Sequence, residues 1–238
     1  MLYYVMPFVA GESLRDRLER EHQLPLEDAL RITREVADGL DYAHRQGLIH
    51  RDIKPENILL SDRHAMVADF GIARAIEQAG GAKLTETGLA VGTPDYMSPE
   101  QAAGDAELDG RTDQYSLGCV LYEMLAGHPP FLGKNPQEVR ARHALDSVPP
   151  LRAARTTVSH GIEAALTRAL AKQPADRFPT VGAFAATLDP AEQAAAAHPP
   201  LRQPAEPKKR WRSIRGHART SRHWGLGLAP GSPAAKGP

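Results

Sequence analysis

The spacing of apolar residues over the first 188 positions predicts a mainly helical protein. Over 26–46, apolar side chains recur every three or four residues, which is the repeat of one face of a helix. Residues 113–126 are apolar almost all round, which is typical of a helix buried at the centre of a domain. The remaining helical patterns are shorter and are separated by proline and glycine, over 15–20, 136–145, 160–172 and 180–188.

Short runs of β-forming residues add a small amount of strand. Residues 1–9 are apolar and aromatic, which predicts one strand followed by an extended connector. Two further runs, Leu48-Ile49 and 58–60, predict buried strand ends that bracket a polar loop, and 65–68 predicts a strand behind them. Helices together with small hairpins around 48–69 make an α+β fold the expected class.

Charge is distributed unevenly along the chain, although the total is balanced at 29 basic and 29 acidic side chains. Residues 1–189 carry a net charge of −7, and residues 190–238 carry +7 together with eight of the twenty prolines. We therefore expect one domain over 1–189, followed by a disordered Pro/Ala-rich basic tail over 190–238. We prefer a solvated linker for this tail over contact with an anionic membrane or with nucleic acid.

Cysteine content and hydropathy bear on the compartment. The one cysteine, Cys119, cannot form an internal disulfide, which fits a reducing compartment. Its place in an apolar helix predicts a packed core thiol rather than a nucleophile. No apolar run reaches the roughly 18–20 residues that span a bilayer, and no signal-peptide pattern opens the sequence. The expected location is cytoplasmic.

The polar loop and the residues just behind it carry a recognisable pair of motifs. The loop reads HRDIKPEN over 50–57, and DFG follows over 69–71. HRDxKxxN and DFG at this spacing are the signature of the protein-kinase catalytic and metal-binding loops. The segment 92–100, GTPDYMSPE, is a variant of the motif that closes the activation segment. An unrelated Asp-rich surface turn is the alternative, and the many fixed letters argue against it.

The residue types of these motifs suit phosphoryl transfer, which depends on positioning and on neutralising charge. Asp52 can accept the proton of a substrate hydroxyl. Lys54 can place a positive charge on the γ-phosphate. Asn57 and Asp69 offer hard oxygen ligands for Mg²⁺.

From residue 2 to about residue 188, the sequence resembles the eukaryotic-like (Hanks-type) serine/threonine protein kinases of bacteria. The resemblance implies a protein-kinase-like fold with a mainly helical C-terminal lobe. It also implies ATP-dependent transfer of the γ-phosphate to serine or threonine hydroxyls, with ATP and Mg²⁺ as cofactors. Protein substrates and other kinase chains are the implied partners, with no specific nucleic acid. Lys54 favours the serine/threonine class over the tyrosine class, and His50 is expected to pack beneath the loop.

The same resemblance assigns an adenine site and a substrate site. Met6 would be the gatekeeper of the adenine pocket. The carbonyl of Pro7 and the N–H of Val9 would bind adenine, with Leu59 as the floor. Thr93 would line the substrate hydroxyl site.

The resemblance also implies control through the activation segment. Arg51, within HRD, marks kinases that are regulated by phosphorylation, and Thr85 and Thr87 are the expected sites. Glu100 would pair with Arg177 inside the large lobe.

The sequence departs from the family at its start. Residues 1–238 contain no glycine-rich GxGxxG loop, no Val-Ala-Ile-Lys lysine and no partner glutamate, since they open at the strand before the hinge. This predicts a truncated N-terminal lobe. Two groups that contact the ATP phosphates are therefore missing, the lysine and the backbone donors of the glycine-rich loop. If each supplied about 3 kcal/mol, losing both would lower the rate by a factor on the order of 10⁴. We therefore expect the chain as written to be a poor or inactive kinase.

Two other functions stay open at this point. The missing lobe favours a catalytically impaired remnant that acts as a protein-binding or regulatory module. A small-molecule phosphotransferase of the antibiotic-kinase type shares the HxDxxxxN pattern, but it is not expected to carry Lys54 or the segment 92–100. The full set of large-lobe motifs favours the protein kinase.

Overall fold

The computed structural model describes residues 9–62, 64–70 and 94–188. The strand predicted over 1–9 lies outside these ranges except for Val9, and the tail predicted over 190–238 lies outside them entirely. All statements about structure below concern the described residues.

Helices dominate the described part of the chain. The helices are α1 (Leu14–Glu21), α2 (Leu26–Arg45), α3 (Pro99–Ala103), α4 (Gly110–Ala126), α5 (Pro136–Leu145), α6 (Leu151–Ala154), α7 (His160–Ala169) and α8 (Val181–Ala186). The strands are β1 (Glu12–Ser13), β2 (Ile58–Ser61) and β3 (His64–Val67). Single turns of 3-10 helix cover Pro55–Asn57, Pro94–Tyr96 and Pro174–Asp176.

The predicted helices are all present, with shifts at their ends: α7 ends at Ala169 and α8 at Ala186, two or three residues early, and side-chain caps explain the starts of α4 and α8. α5 has the predicted bounds, and α2 ends one residue early at Arg45. α4 begins three residues before position 113 because the side chain of Asp109 accepts from the N–H of Arg111 and caps the helix. α8 begins after Thr180, whose side chain accepts from the N–H of Ala183. α3 and α6 are too short to show a helical repeat in the sequence, and they were not predicted.

Helix α4 lies at the centre of the core, as its apolar pattern predicted. All but its first two residues are buried, and α2 packs against both α4 and α8. The thiol of Cys119 is completely buried in this helix, and burial raises its pKa well above the ordinary value. Cys119 is therefore a core side chain and not a nucleophile, as predicted.

The sheet is small and antiparallel, in the order β1-β2-β3. Leu60 of β2 lies opposite Glu12, and Ile58 lies opposite Val67 of β3. The short strand β1 was not predicted from the sequence, because two residues carry no alternation of apolar and polar positions. Helices packed around one small sheet confirm the α+β class.

The prediction of a buried strand end at Leu48-Ile49 is wrong. Neither residue lies in a strand, and Leu48 is 52% exposed. The N–H of Leu48 donates to the carbonyl of Ala43 at 3.0 Å, so the chain turns directly out of the end of α2 into the polar loop. Among the helices the structure describes, none is long and apolar enough to cross a membrane.

Gly11 is required where the chain enters β1. Its φ is +151°, and a Cβ placed there would lie 2.0 Å from the carbonyl oxygen of Leu60 in β2. Strain and overpacking each cost about 1–3 kcal/mol, so we expect Gly11→Ala to lower the free energy of unfolding by about 2 kcal/mol or more. Chemical denaturation of residues 1–238 measures this.

The matched control is Gly39→Ala. Gly39 is exposed within α2 and a Cβ there meets nothing within 4 Å, so alanine is expected to be neutral or stabilising. Equal stability of the Gly11→Ala variant and the parent would show that the chain entering β1 can move away from β2.

Candidate active site

Residues 50–57, which we call the Asp52 loop, are fixed from below by one buried carboxylate of α4. Asp113 is completely buried, and its two oxygens accept from the backbone N–H groups of His50 and Arg51, each at 2.8 Å. Nε2 of His44, near the end of α2, lies 2.7 Å from the same carboxylate. Asp113 thus ties the start of the loop to the central helix, and His44 packs against the same carboxylate.

Arg51 adopts a backbone conformation that costs energy and needs support. Its φ is +69°, in the left-handed region that non-glycine residues rarely occupy. The bond from its N–H to Asp113 and a 2.7 Å bond from the side chain of Gln101 to its carbonyl hold this conformation. Gln101 lies on α3, so the segment that follows 92–100 helps to shape the Asp52 loop.

His50 supports the loop from beneath, as predicted. Its Nδ1 accepts from the N–H of Asp52 at 3.2 Å, and its Nε2 lies 2.8 Å from the carbonyl of Ala68. The ring also contacts Phe70 edge-on, with centroids 4.8 Å apart. The imidazole therefore connects the Asp52 loop to the DFG turn and has no free nitrogen for chemistry.

The structure brings Asp52, Lys54 and Asn57 together. Nζ of Lys54 lies 2.8 Å from Oδ2 of Asp52, and Nδ2 of Asn57 donates to that same oxygen at 3.0 Å. Nδ2 of Asn57 also donates to the carbonyl of Asp52 at 2.7 Å. Both side-chain partners therefore bind Oδ2, and the Asp52 side chain is half-exposed.

Asp69 is positioned through the backbone beside Asn57. The N–H of Ala68 donates to the carbonyl of Asn57 at 2.9 Å, and Asp69 follows with a left-handed φ of +64°. Because Nδ2 of Asn57 donates to Asp52, the amide oxygen is the side-chain atom of Asn57 that could accept a cation. Among the described residues no group of three His, Cys, Asp or Glu side chains could hold a metal alone. Convergence of the Asp69 carboxylate with Asn57 and Asp52 stays a prediction.

The predicted pair between Glu100 and Arg177 is present and buried. Their two bonds, at 2.7 and 2.8 Å, form a parallel fork, and Thr112 donates a third bond to Glu100. Burial alone would raise the pKa of Glu100, but the hydrogen bonds and charge of Arg177 outweigh it and keep that pKa below its usual range. The other guanidinium donors reach the backbone carbonyls of Ala171, Arg111 and Lys172.

A polar cavity of about 600 Å³ opens beside Lys54. Its lining residues are Arg15, Glu19, Lys54, Glu56, Asp95, Tyr96, Glu123 and Pro129. Arg15 crosses it, bonded to Glu56 and Glu123 at 2.9 Å each and to the hydroxyl of Tyr96. Burial, followed by the charge of Glu123, raises the pKa of Tyr96. The tyrosine therefore remains a neutral donor to Glu123 at any physiological pH.

A family model described as the protein kinase domain matches residues 1–187. The chain belongs to the protein kinase family. It is 42% identical over 187 residues to the serine/threonine-protein kinases PknB of Mycobacterium leprae and Mycobacterium tuberculosis. That alignment covers 78% of this chain and 30% of each relative. The chain is also 44% identical over 178 residues to PknA of Corynebacterium glutamicum, covering 74% of this chain and 36% of that one.

Solved kinase structures agree with this membership. The crystal structure of the Mycobacterium tuberculosis PknI kinase domain, in a cysteine-to-alanine mutant, matches 79% of this chain and 63% of its own, with a TM-score of 0.59 and 34% identity. The crystal structure of Rad53 with AMP-PNP matches 75% of this chain and 44% of its own, with a TM-score of 0.60 at 24% identity, which shows the fold alone. The predicted resemblance to bacterial Hanks-type serine/threonine kinases is confirmed. The chain spans about a third of the length of the curated kinases it matches.

Several kinase positions named from the sequence lie outside the described residues: Met6, Pro7, Thr85, Thr87 and Thr93. Val9 and Leu59 are described, and both are partly buried. Leu59 lies on β2, two positions after Asn57, opposite Ser13 of β1.

Sequence reasoning missed two side chains that bind the Asp52 loop, Asp113 and Arg15. A signal for Asp113 was available, because it is an acidic residue that opens a run of apolar positions in 113–126. A carboxylate buried in such a helix must be paired or hydrogen-bonded. Arg15 gave no signal, since it sits in a charged helix where arginine is ordinary.

Proposed function

We propose that this protein transfers the γ-phosphate of ATP to serine or threonine hydroxyls of proteins. The observation that carries the proposal is the shared use of Oδ2 of Asp52 by Lys54 and Asn57. This arrangement fixes the carboxylate and leaves Oδ1 for one further hydrogen-bond donor. Membership in the protein kinase family and the serine/threonine names of its relatives support the same function.

Asp52 would orient the substrate hydroxyl and accept its proton. Oδ1 can accept from a hydroxyl that points at the transferring phosphorus. As the hydroxyl oxygen bonds to phosphorus, its proton passes to Asp52 and the bond to the leaving oxygen of ADP breaks. The ammonium of Lys54, held 2.8 Å from Asp52, lies where it can also neutralise charge on the transferring group.

Asn57 and Asp69 are the residues that would hold Mg²⁺ in this site. Amide and carboxylate oxygens are ligands that this hard cation accepts, and Mg²⁺ is usually bound by only one or two protein groups. When bound, the ion would neutralise phosphate charge. The bonds from Nδ2 of Asn57 to Asp52 hold the amide oxygen in one orientation, which reduces the cost of ordering it.

Nucleotide specificity is proposed to come from the segment before α1. The carbonyl of Pro7 and the N–H of Val9 would bind the adenine edge, with Met6 behind it and Leu59 beneath it. Proline is tolerated at the first position because only its carbonyl is used. Thr93 would line the opposite, substrate side of the cleft.

Binding of ATP to residues 1–238, measured by calorimetry with and without Mg²⁺, tests this proposal. We expect Asp69→Asn to reduce the Mg²⁺-dependent part of the affinity by about 10–100-fold or more, as losses of metal-site groups do. Asp62→Asn is the matched control, since Asp62 is exposed and also has a positive φ, +52°. Asparagine tolerates that backbone conformation at both positions. Equal loss in both variants, or none in either, would count against a cation at Asp69.

Phosphorylation of Thr85 or Thr87 is proposed to activate the enzyme. Each phosphate would add about −1.5 to −2 charge and can pair with Arg51, whose backbone is fixed by Asp113. The test uses a lobe-fused chain, which is residues 1–238 preceded by a kinase small lobe with its glycine-rich loop and lysine. In this chain, Thr85→Ala/Thr87→Ala should lower activity about tenfold or more. Thr156→Ala/Thr157→Ala is the control, because both threonines are exposed in a turn. Unchanged activity of the first variant would remove these threonines from regulation.

The remaining proposals concern organisation and location. We propose a kinase domain over 1–189 and a basic tail over 190–238 that acts as a solvated linker. We place the activity in the cytoplasm, since a lone buried Cys119 suits a reducing compartment. Protein substrates, and other kinase chains as partners, follow from the proposed reaction.

A further inference from the structure

A buried histidine outside the active site holds helix α5 to the core. His143 is completely buried, and its Nδ1 lies 2.9 Å from the hydroxyl of Tyr115 on α4. Its ring meets Phe131 edge-on, with centroids 4.8 Å apart. Nε2 has no hydrogen-bond partner of good geometry among the described residues. The site therefore holds a neutral imidazole, and a backbone interaction with Asp95 is the weak contact that favours a second ring proton.

A lysine ammonium lies directly beside this imidazole. Nζ of Lys172 donates to the backbone carbonyl of His143 at 2.7 Å and sits over the ring of Phe131, 4.2 Å from its centroid. Protonation of His143 would place a second positive charge next to the first in a buried, largely apolar site. Two like charges in such surroundings repel strongly, because little water is present to screen them.

The pKa values follow this arrangement. Burial, followed by the charge of Lys172, lowers the pKa of His143 to about 4, and a weaker interaction with the backbone of Asp95 opposes the shift. Burial also lowers the pKa of Lys172 to about 8. The lysine is therefore already mostly protonated at pH 7, and its charge changes little on further acidification.

The acidic residue beside His143 on the neighbouring 3-10 turn is Asp95, which interacts with it through its backbone, and burial raises the pKa of the Asp95 carboxyl and disfavours its negative charge. On α4, Tyr115 and Cys119 are neutral, since burial raises both of their pKa values. Asp146, just after α5, is exposed and acts on Lys172 rather than on the imidazole. Two other acids near this region are each neutralised by an arginine. Glu100 pairs with Arg177, and on α5 itself Glu138 pairs with Arg142.

We propose that α5 is a pH-sensitive element, released from the core when mild acid favours states in which His143 is exposed and protonated. The sign follows from the lowered pKa: the stabilisation is complete above about pH 6.5 and is lost as the pH falls toward 4. α5 also contacts α3 and the 3-10 turn Pro94–Tyr96, so its release would loosen the turn that carries Asp95 and Tyr96 beside the polar cavity.

Hydrogen exchange of residues 1–238 at pH 7 and pH 5, corrected for the intrinsic rates, tests this inference. A group with a pKa of about 4 when buried and about 6.5 when exposed shifts an opening equilibrium about twentyfold over that interval. We expect protection of α5 peptides to fall by about that factor. In His143→Asn, which keeps an acceptor near Nδ1 and does not titrate, the pH dependence should be lost. His64→Asn is the control, because the His64 side chain is 81% exposed.

Equal pH dependence of α5 in the parent and in His143→Asn would overturn the proposal. If His143→Asn does not fold, the titration of His143 in the parent, followed by NMR, decides instead. We expect the ring to stay neutral until about pH 5 or below while α5 is closed. Protonation near pH 6.5 with no change in the exchange of α5 would exclude the mechanism.

Discussion

Asp52→Asn is expected to lower the rate of phosphoryl transfer by a factor of about 10²–10⁴, the range in which a positioned general base contributes. Asparagine keeps the size of the side chain, and its amide oxygen can still accept from Lys54 and Asn57. It cannot accept the substrate proton. The change therefore removes the proton acceptor at Oδ1. It keeps an oxygen at the position of Oδ2, where Lys54 and Asn57 donate their hydrogen bonds. The measurement is the initial rate of label transfer from ATP to a protein substrate by the lobe-fused chain.

Asp38→Asn is the matched control for this change. Asp38 is exposed on α2, so the same substitution there alters charge without touching the site. The control should retain the parent rate, and both variants should keep the parent melting temperature within a few degrees. Retained transfer in Asp52→Asn would show that another group takes the proton.

Arg177→Met is expected to lower the free energy of unfolding by about 3–5 kcal/mol, the cost of leaving one member of a buried ion pair without its partner. Arg177 is almost completely buried, and all of its bonds are made inside the protein. Removing it strands the carboxylate of Glu100, which is only 8% exposed. Methionine keeps much of the apolar volume, so the effect reports the charge more than a cavity.

Two further variants separate the stranded charge from lost packing. Arg142→Met breaks an exposed pair with Glu138 and is expected to cost little stability, because water screens the two charges. Glu100→Met combined with Arg177→Met removes both buried charges and should recover much of the loss. Urea denaturation of residues 1–238 provides the free energies. Equal costs for the buried and the exposed pair would mean that water reaches Glu100.

The parts of the fold that the sequence predicted are those in which one face, or the whole surface, of a helix is buried. The central helix could be found because nearly every position over 113–126 is apolar. The 20-residue helix α2 could be found because its buried positions repeat every three or four residues. Leu48-Ile49 misled the strand prediction because two adjacent apolar residues carry no period, and a turn can expose one of them as easily as a strand can bury it.

The candidate site residues that the sequence predicted lie close together in the chain. The residues that it missed are distant in the chain and reach the site only through folding. Asp52, Lys54 and Asn57 lie within six positions of one another, so local spacing sets their geometry. Asp113 supports them from more than 60 positions away, through hydrogen bonds that exist only after α4 packs beneath the loop. Likewise, Lys172 and His143 meet only in the folded protein.

Transfer of labelled phosphate from ATP to serine or threonine by the lobe-fused chain is the most direct test of the proposed activity. The chain should first be shown to be folded and to bind ATP with Mg²⁺. We expect label to appear on phosphoserine or phosphothreonine of a protein substrate, to require Mg²⁺, and to be abolished by Asp69→Asn. A folded, nucleotide-binding chain that transfers no phosphate, or that labels only tyrosine, would contradict the assignment of Asp52, Asn57 and Asp69 to a serine/threonine kinase site.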